Sequence, residues 1–251
     1  STNRPEEAVM TYRKGIETDP GDYHYYNDLG TFYFYRNEFR QAEEQYKRAV
    51  QLAPGVAGGH MNLGLSLIRQ YRLPEAEREV LAALKLRRSA PLLMNLGGLY
   101  YQWERFDEAA RYFEESKASG QRTSNLYRNL GDAYRHLGRA DEASRYYQTA
   151  RTMTEEEVIR NPRNAEFRVR LGLISAFQGD AQRAGFELSQ AIAMDPENPA
   201  VMREAAIAYD AAGLYALAVF TVPLLLMRKT QESYLSHTRR SALELREAAE
   251  T

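Results

Sequence analysis

Residues Asp22–Pro54 read "DYHYYNDLGTFYFYRNEFRQAEEQYKRAVQLAP", and two helical faces lie in this stretch. Tyr26, Leu29, Gly30 and Tyr33 stand at i, i+3, i+4 and i+7, one side of a helix. Ala42, Tyr46 and Ala49 stand at i, i+4 and i+7, one side of a second. Between them "RNEFR" is short and polar enough to turn. Gly30 and Ala42 are small, so the two helices can approach closely. Pro54 cannot continue the second helix and biases its predecessor away from helical geometry. Such a hairpin buries about four large side chains, each worth about 1.5–3 kcal/mol. The entropy of ordering the chain cancels that gain. One hairpin is therefore not stable alone and must stack on others.

The stretch recurs. Leu29-Gly30 has counterparts at Leu63-Gly64, Leu96-Gly97, Leu130-Gly131, Leu171-Gly172 and Ala205-Ala206, at intervals of 34, 33, 34, 41 and 34 residues. A small residue stands 13 positions after each of these starts: Ala42, Ala76, Ala109, Ala143, Ala184 and Ala218. Bulky residues follow four positions later, at Tyr46, Val80, Phe113, Tyr147, Leu188 and Val222. Periodicity at this scale marks a repeat array in which each unit buries itself against its neighbours.

The pattern Tyr26…Leu29-Gly30…Tyr33…Ala42…Tyr46…Ala49…Pro54 resembles the tetratricopeptide repeat family. The resemblance covers a leading half-repeat at 5–20 (Ala8, Tyr12, Gly15, Pro20) and repeats at about 22–54, 57–89, 90–123, 124–162, 165–196 and 199–228. It implies an all-α fold, a right-handed superhelical solenoid of antiparallel helix hairpins. The tail at 231–251 reads as an amphipathic capping helix, with a partner-docking helix as the alternative.

Three departures carry information. The 41-residue interval inserts seven residues after Ala150. "TARTMTEEEVIRNP" stays helix-compatible up to Asn161-Pro162, which predicts a second helix two turns longer than its siblings. Similar long units occur in tetratricopeptide regions of bacterial signalling proteins. The sixth unit replaces Leu-Gly by Ala205-Ala206 and sets Pro223 in its second helix, which ends or bends the array. The leading half-repeat lacks a first helix. The sequence thus reads as part of something longer, or as a chain that self-associates through this half-repeat or through its apolar last repeat.

Composition narrows the function classes. The 251 residues carry 33 Lys and Arg against 34 Asp and Glu, a net charge of −1 that favours neither nucleic acid nor an anionic membrane. There is no cysteine, which removes disulfides, thiolate zinc sites and thiol catalysis. His24, His60, His136 and His237 are far apart and never at metal-ligand spacing. No Gly-rich loop follows a strand. The reading is of a non-enzymatic protein with no cofactor and no metal. Ala205–Met227 is long enough to span a bilayer, but Asp210, Gly213 and Pro223 argue for a buried repeat instead. The N-terminus is neither a signal nor a transit peptide, and a cytoplasmic location is favoured over the bacterial periplasm.

In this family the first helices line a concave surface, so their flanking residues are the binding candidates. Asn62, Asn95 and Asn129 each precede the Leu-Gly pair, and Asp28 takes that place in the first repeat. Arg69 lies about 20° from Asn62 around the helix, on the same side. Tyr35, Gln102, Asn125, Asp132 and His136 share the stripe, and Arg170 and Phe177 break it. Some family members use a ladder of asparagines to pair with the backbone of an extended ligand, since an amide both donates and accepts. The alternative is that each Asn stitches neighbouring helices together. Arg128 and Arg135, with Arg170 and Arg203, would favour an acidic ligand. Equally, Arg128, Asp132 and Arg135 have the spacing of intrahelical pairs worth about 0.2–0.5 kcal/mol each. Phe34 and Tyr35 could receive an apolar anchor, or pack on the preceding repeat. The family's two-carboxylate clamp is not matched: Asn27, Thr31, Asn62, Pro91 and Asn95 supply none of its cations. The expected function is a scaffold binding a partner peptide or helix in its groove. The alternative is a regulatory or assembly segment of a larger bacterial signalling protein or enzyme.

Overall fold

The structure is a computed structural model and describes residues 4–214. The second helix of the sixth unit, Pro223 and the 231–251 segment lie outside the described residues. Twelve α-helices and no strand are found among the described residues. In order they are α1 (Arg4–Thr18), α2 (Tyr23–Tyr35), α3 (Phe39–Leu52), α4 (Ala57–Arg69), α5 (Leu73–Leu86), α6 (Ala90–Gln102), α7 (Phe106–Ala118), α8 (Ser124–His136), α9 (Ala140–Arg160), α10 (Ala165–Phe177), α11 (Ala181–Met194) and α12 (Pro199–Ala211). The chain divides into two compact units, residues 1–146 and 147–251.

In the first unit, α2 and α3, α4 and α5, and α6 and α7 form antiparallel hairpins, with α1 against α2 and each hairpin against the next. Asp22 caps α2 by accepting from the His24 backbone N–H at 2.9 Å, and Thr123 caps α8 by accepting from that of Leu126 at 3.2 Å. The Leu-Gly pair does what its spacing predicts. Leu29, Leu63, Leu96 and Leu130 are buried. A methyl group placed on Gly30 would stand 2.8 Å from the Tyr46 ring, and one on Gly97 would stand 2.5 Å from the Phe113 ring. Glycine is thus the residue that lets the two helices of a hairpin touch.

The turn inside each hairpin follows one plan. The residue eight positions after the leucine is left-handed every time: Asn37 (φ 61°), Tyr71 (59°) and Glu104 (59°), then Gly138 (71°), Gly179 (78°) and Gly213 (69°). A side chain costs about 1–2 kcal/mol in that conformation, with asparagine the mildest case. The last three turns meet the requirement with glycine and the first three do not.

Tyr26 and Tyr33 are half-buried rather than core residues. Leu67, Tyr100 and Tyr134, the counterparts of Tyr33, are buried. In the second unit Val169, Leu173, Leu188, Val201 and Tyr209 form the core of α10, α11 and α12. Helix α9 spans 21 residues where α5 and α11 span 14, the two extra turns that the long interval predicts. No helix among the described residues is long and apolar enough to cross a membrane.

Candidate functional site

All twelve candidate residues of the stripe fall in the first unit, on α2, α4, α6 and α8. The asparagines preceding the Leu-Gly pairs are half-buried, and Asn62 and Asn95 reach to the first helix of the preceding repeat. Asn62 Nδ2 donates to Asn27 Oδ1 at 2.9 Å. Asn27 Nδ2 in turn donates to Asp28 Oδ1 at 3.4 Å. Asn95 Nδ2 lies 3.8 Å from Met61 Sδ, a weaker contact in the same direction. Asn129 Oδ1 accepts from Arg128 Nη2 at 3.4 Å, and Asn125 is half-buried one turn before it. The partners Asn27 and Met61 both sit two places before a Leu-Gly pair. That shared register was visible in the sequence, but nothing there said that the positions meet across the seam.

Between α2 and α4 the surface opens into a small pocket of about 80 Å³, lined by Thr31, Phe34, Tyr35, Tyr46, Asn62 and Leu65. Its floor is polar at one point, where the Tyr46 hydroxyl donates to Thr31 Oγ1 at 3.2 Å. Burial pushes the Tyr46 hydroxyl pKa up despite that bond. Tyr35 is 81% exposed at the rim, the most exposed large apolar side chain among the described residues. Phe34 packs edge-on against Phe39, 5.5 Å between centroids. Arg69 lies over the Phe39 ring at 5.1 Å.

The stripe changes character on α6 and α8. The His136 ring stacks on Phe106 at 4.2 Å with 9° between planes, and meets Tyr101 edge-on at 5.6 Å. Arg135 Nη2 lies 3.2 Å from His136 Nε2. Burial, then the Arg135 charge, hold the His136 pKa below its ordinary value, with Asp132 and Glu104 acting in the opposite sense. Burial and the Asp132 carboxylate push the Tyr101 hydroxyl up to about 12. Asp132 is itself only 8% exposed. Arg128 is half-buried, and Gln102 and Arg135 are exposed. In the second unit Arg170 Nη1 donates to Glu157 Oε2 at 3.0 Å, so this interruption of the run is tied to the long helix α9. Among the described residues no three His, Asp or Glu side chains come together as a metal site would require.

Antiparallel hairpins, with Gly30, Gly64, Gly97 and Gly172 each under a bulky side chain of the second helix, define the class: an all-α repeat protein. A model of the tetratricopeptide repeat matches residues 27–92, 94–156 and 128–188, and the chain belongs to that family. Among solved structures, the chain is similar to one in the crystal structure of the APC/C hetero-tetramer Cut9–Hcn1 (16% identity, TM-score 0.70, covering 94% of this chain and 46% of that one). This chain therefore spans just under half the length of that relative. It is also similar to a tetratricopeptide repeat protein from Parabacteroides merdae (19% identity, TM-score 0.64, 82% of this chain and 78% of that one). YrrB, described as a tetratricopeptide repeat protein with an unusual peptide-binding site, matches at 19% identity and TM-score 0.50 over 76% of this chain and 96% of its own. No curated protein matches the sequence at a significant level. At these identities the likeness is one of fold.

Proposed function

We propose that the protein is a non-enzymatic scaffold that holds an extended segment of a partner protein along the first-helix face of α2, α4, α6 and α8. The observation that carries this reading is the pocket between α2 and α4. An exposed Tyr35, with Phe34 and Leu65 beside it, offers apolar surface at the mouth of a cleft whose edge is an amide, Asn62. Apolar surface rimmed by polar groups is the usual mark of an interaction site. One N–H of Asn62 is held by Asn27, and its Oδ1 offers an acceptor for a peptide N–H. Stitching and ligand contact are then two ends of one amide. A segment entering the pocket with an apolar side chain would run toward Arg128 and Arg135, where an acidic residue is favoured. The peptide-binding site of YrrB supports the reading by analogy of fold.

The test is calorimetric titration of a partner segment, identified by peptide display against the whole chain, into wild type and two variants. Tyr35→Ser removes the apolar mouth and is expected to weaken binding about tenfold. The triple variant Asn62→Ala, Asn95→Ala, Asn129→Ala is expected to weaken it further. Unchanged affinity in both, with circular dichroism showing both folded, would sink the groove reading.

A further inference from the structure

A second opening lies away from the first-helix stripe, in the seam between α1 and α2. It is a pocket of about 280 Å³ lined mainly by Val9, Met10, Arg13, Phe32, Arg36 and Glu38. The same repeat positions build the next two seams, and those are closed by charge. Between α3 and α4, Glu43 is 6% exposed and accepts from Arg72 Nη1 at 2.6 and 2.7 Å and from Gln70 Nε2 at 2.9 Å. Between α5 and α6, Glu77 accepts from the Tyr100 hydroxyl at 2.5 Å and from Arg105 at 3.5 Å, with the guanidinium 4.5 Å over the Tyr100 ring. The closing side chains come from the second helix of one repeat and from the first helix and turn of the next.

In the first seam both partners are changed. Val9 stands where Glu43 and Glu77 stand, and Glu38 stands where Arg72 and Arg105 stand. Glu38 is taken by Arg36 at 2.6 Å, and that guanidinium lies 5.6 Å over Phe32. The seam is left without a carboxylate from the second-helix side, and Arg13 on its rim meets no carboxylate among the described residues. Met10, one residue along, is 69% exposed.

We propose that this seam is a docking site for a partner segment of acidic and apolar character. Its carboxylate takes the place beside Arg13 and Arg36 that Glu43 and Glu77 occupy in the closed seams. Its apolar side chain lies on Val9, Met10 and Phe32. Charge complementarity selects the occupant: Glu38 is matched by Arg36, and Arg13 is the further cation on the rim. The site is separate from the stripe that bears Asn62.

The test uses the whole chain and a fluorescein-labelled hexapeptide, Glu-Leu-Glu-Glu-Leu-Glu, read by anisotropy. Its twins replace Glu by Lys or Leu by Ser. Val9→Glu supplies the missing acid from within and is expected to lower affinity at least about tenfold, and Arg13→Ala to lower it about threefold. The Asn62→Ala variant, which bears on the groove reading alone, is expected to bind this peptide as wild type does. Absence of binding by the parent peptide, equal binding by the Lys twin, or full binding by Val9→Glu would each overturn the proposal. So would a concentration-dependent dimer in light scattering that Val9→Glu abolishes, since the seam would then be taken by a second copy.

Discussion

The seam between α1 and α2 and the seam between α3 and α4 use the same backbone plan and opposite side-chain chemistry. In both, a left-handed turn residue aims the side chain after it back at the preceding helix: Asn37 aims Glu38, and Tyr71 aims Arg72. Arg72 arrives at a buried carboxylate and locks the seam, with a second acid, Glu75, on its Nη2 at 2.5 Å. Glu38 arrives opposite Val9 and turns aside to Arg36. The lesson is that the repeat register fixes where a side chain lands, while the pairing of two positions 29 residues apart, as in Glu43 and Arg72, decides whether adjacent repeats are tied or merely adjacent. A buried carboxylate is tolerable only with its donors in place, so the tie is strong where it is complete.

The comparison can be broken most forcefully at Glu43. Glu43→Ala removes the acceptor of a charge-assisted network and is expected to cost about 2–3 kcal/mol, read as a lower urea midpoint. The matched change Glu38→Ala, on an exposed pair, is expected to stay within about 0.5 kcal/mol. Next comes Gly138→Ala. Nothing lies within 4 Å of an added methyl there, so the expected loss of about 1 kcal/mol is purely the left-handed backbone. The double change Val9→Glu with Glu38→Arg transplants the closed seam onto the first one. It is expected to add about 1 kcal/mol and to slow hydrogen exchange in α1. Tyr71→Gly relieves strain but gives flexibility to the unfolded chain. The net gain expected is about 0.5 kcal/mol, with Asn37→Gly near zero.

The smallest effect is in pH dependence. Burial raises the Glu43 pKa, but bonds from Lys47, Gln70 and Arg72 outweigh it, and the net value lies below 4.5. A carboxylate lowered in the folded state contributes stability that is full above pH 4.5 and lost as pH falls through the lowered value. Glu43→Gln is expected to flatten that part of the stability profile from pH 4.5 downward, measured by thermal melts. His136 acts in the same sense at higher pH: its lowered pKa means that the unfolded chain takes up a proton first. Stability therefore drops as pH falls below 6.5.

Much of this architecture was legible in the residues. Leu-Gly pairs, small residues at fixed offsets and the position of Pro54 give the hairpins, and the 41-residue interval gives the length of α9, because all of these are local or periodic signals. The left-handed turn is half legible: Gly138, Gly179 and Gly213 announce it, whereas Tyr71 and Glu104 disguise it. The site was less legible. Helical angle puts Asn62 on the flank of its helix, but not within 2.9 Å of Asn27, 35 residues earlier, since that depends on how two repeats cross. Asp132 was placed on a binding stripe, yet it is only 8% exposed, and spacing along one helix does not report burial by another.

The tyrosines of the closed seams have a use of their own. Tyr100 stacks on Tyr112 at 5.3 Å, and Tyr134 stacks on Tyr146 at 5.5 Å, each sandwich planar to within 8°. Burial and the neighbouring acids, Glu77 and Glu114, push Tyr100, Tyr134 and Tyr146 above the ordinary phenol range. The chain thus carries built-in spectroscopic reporters at two successive junctions. Their late ionisation in an alkaline absorbance titration marks junctions that are still zipped, and its early appearance marks the junction that has come apart.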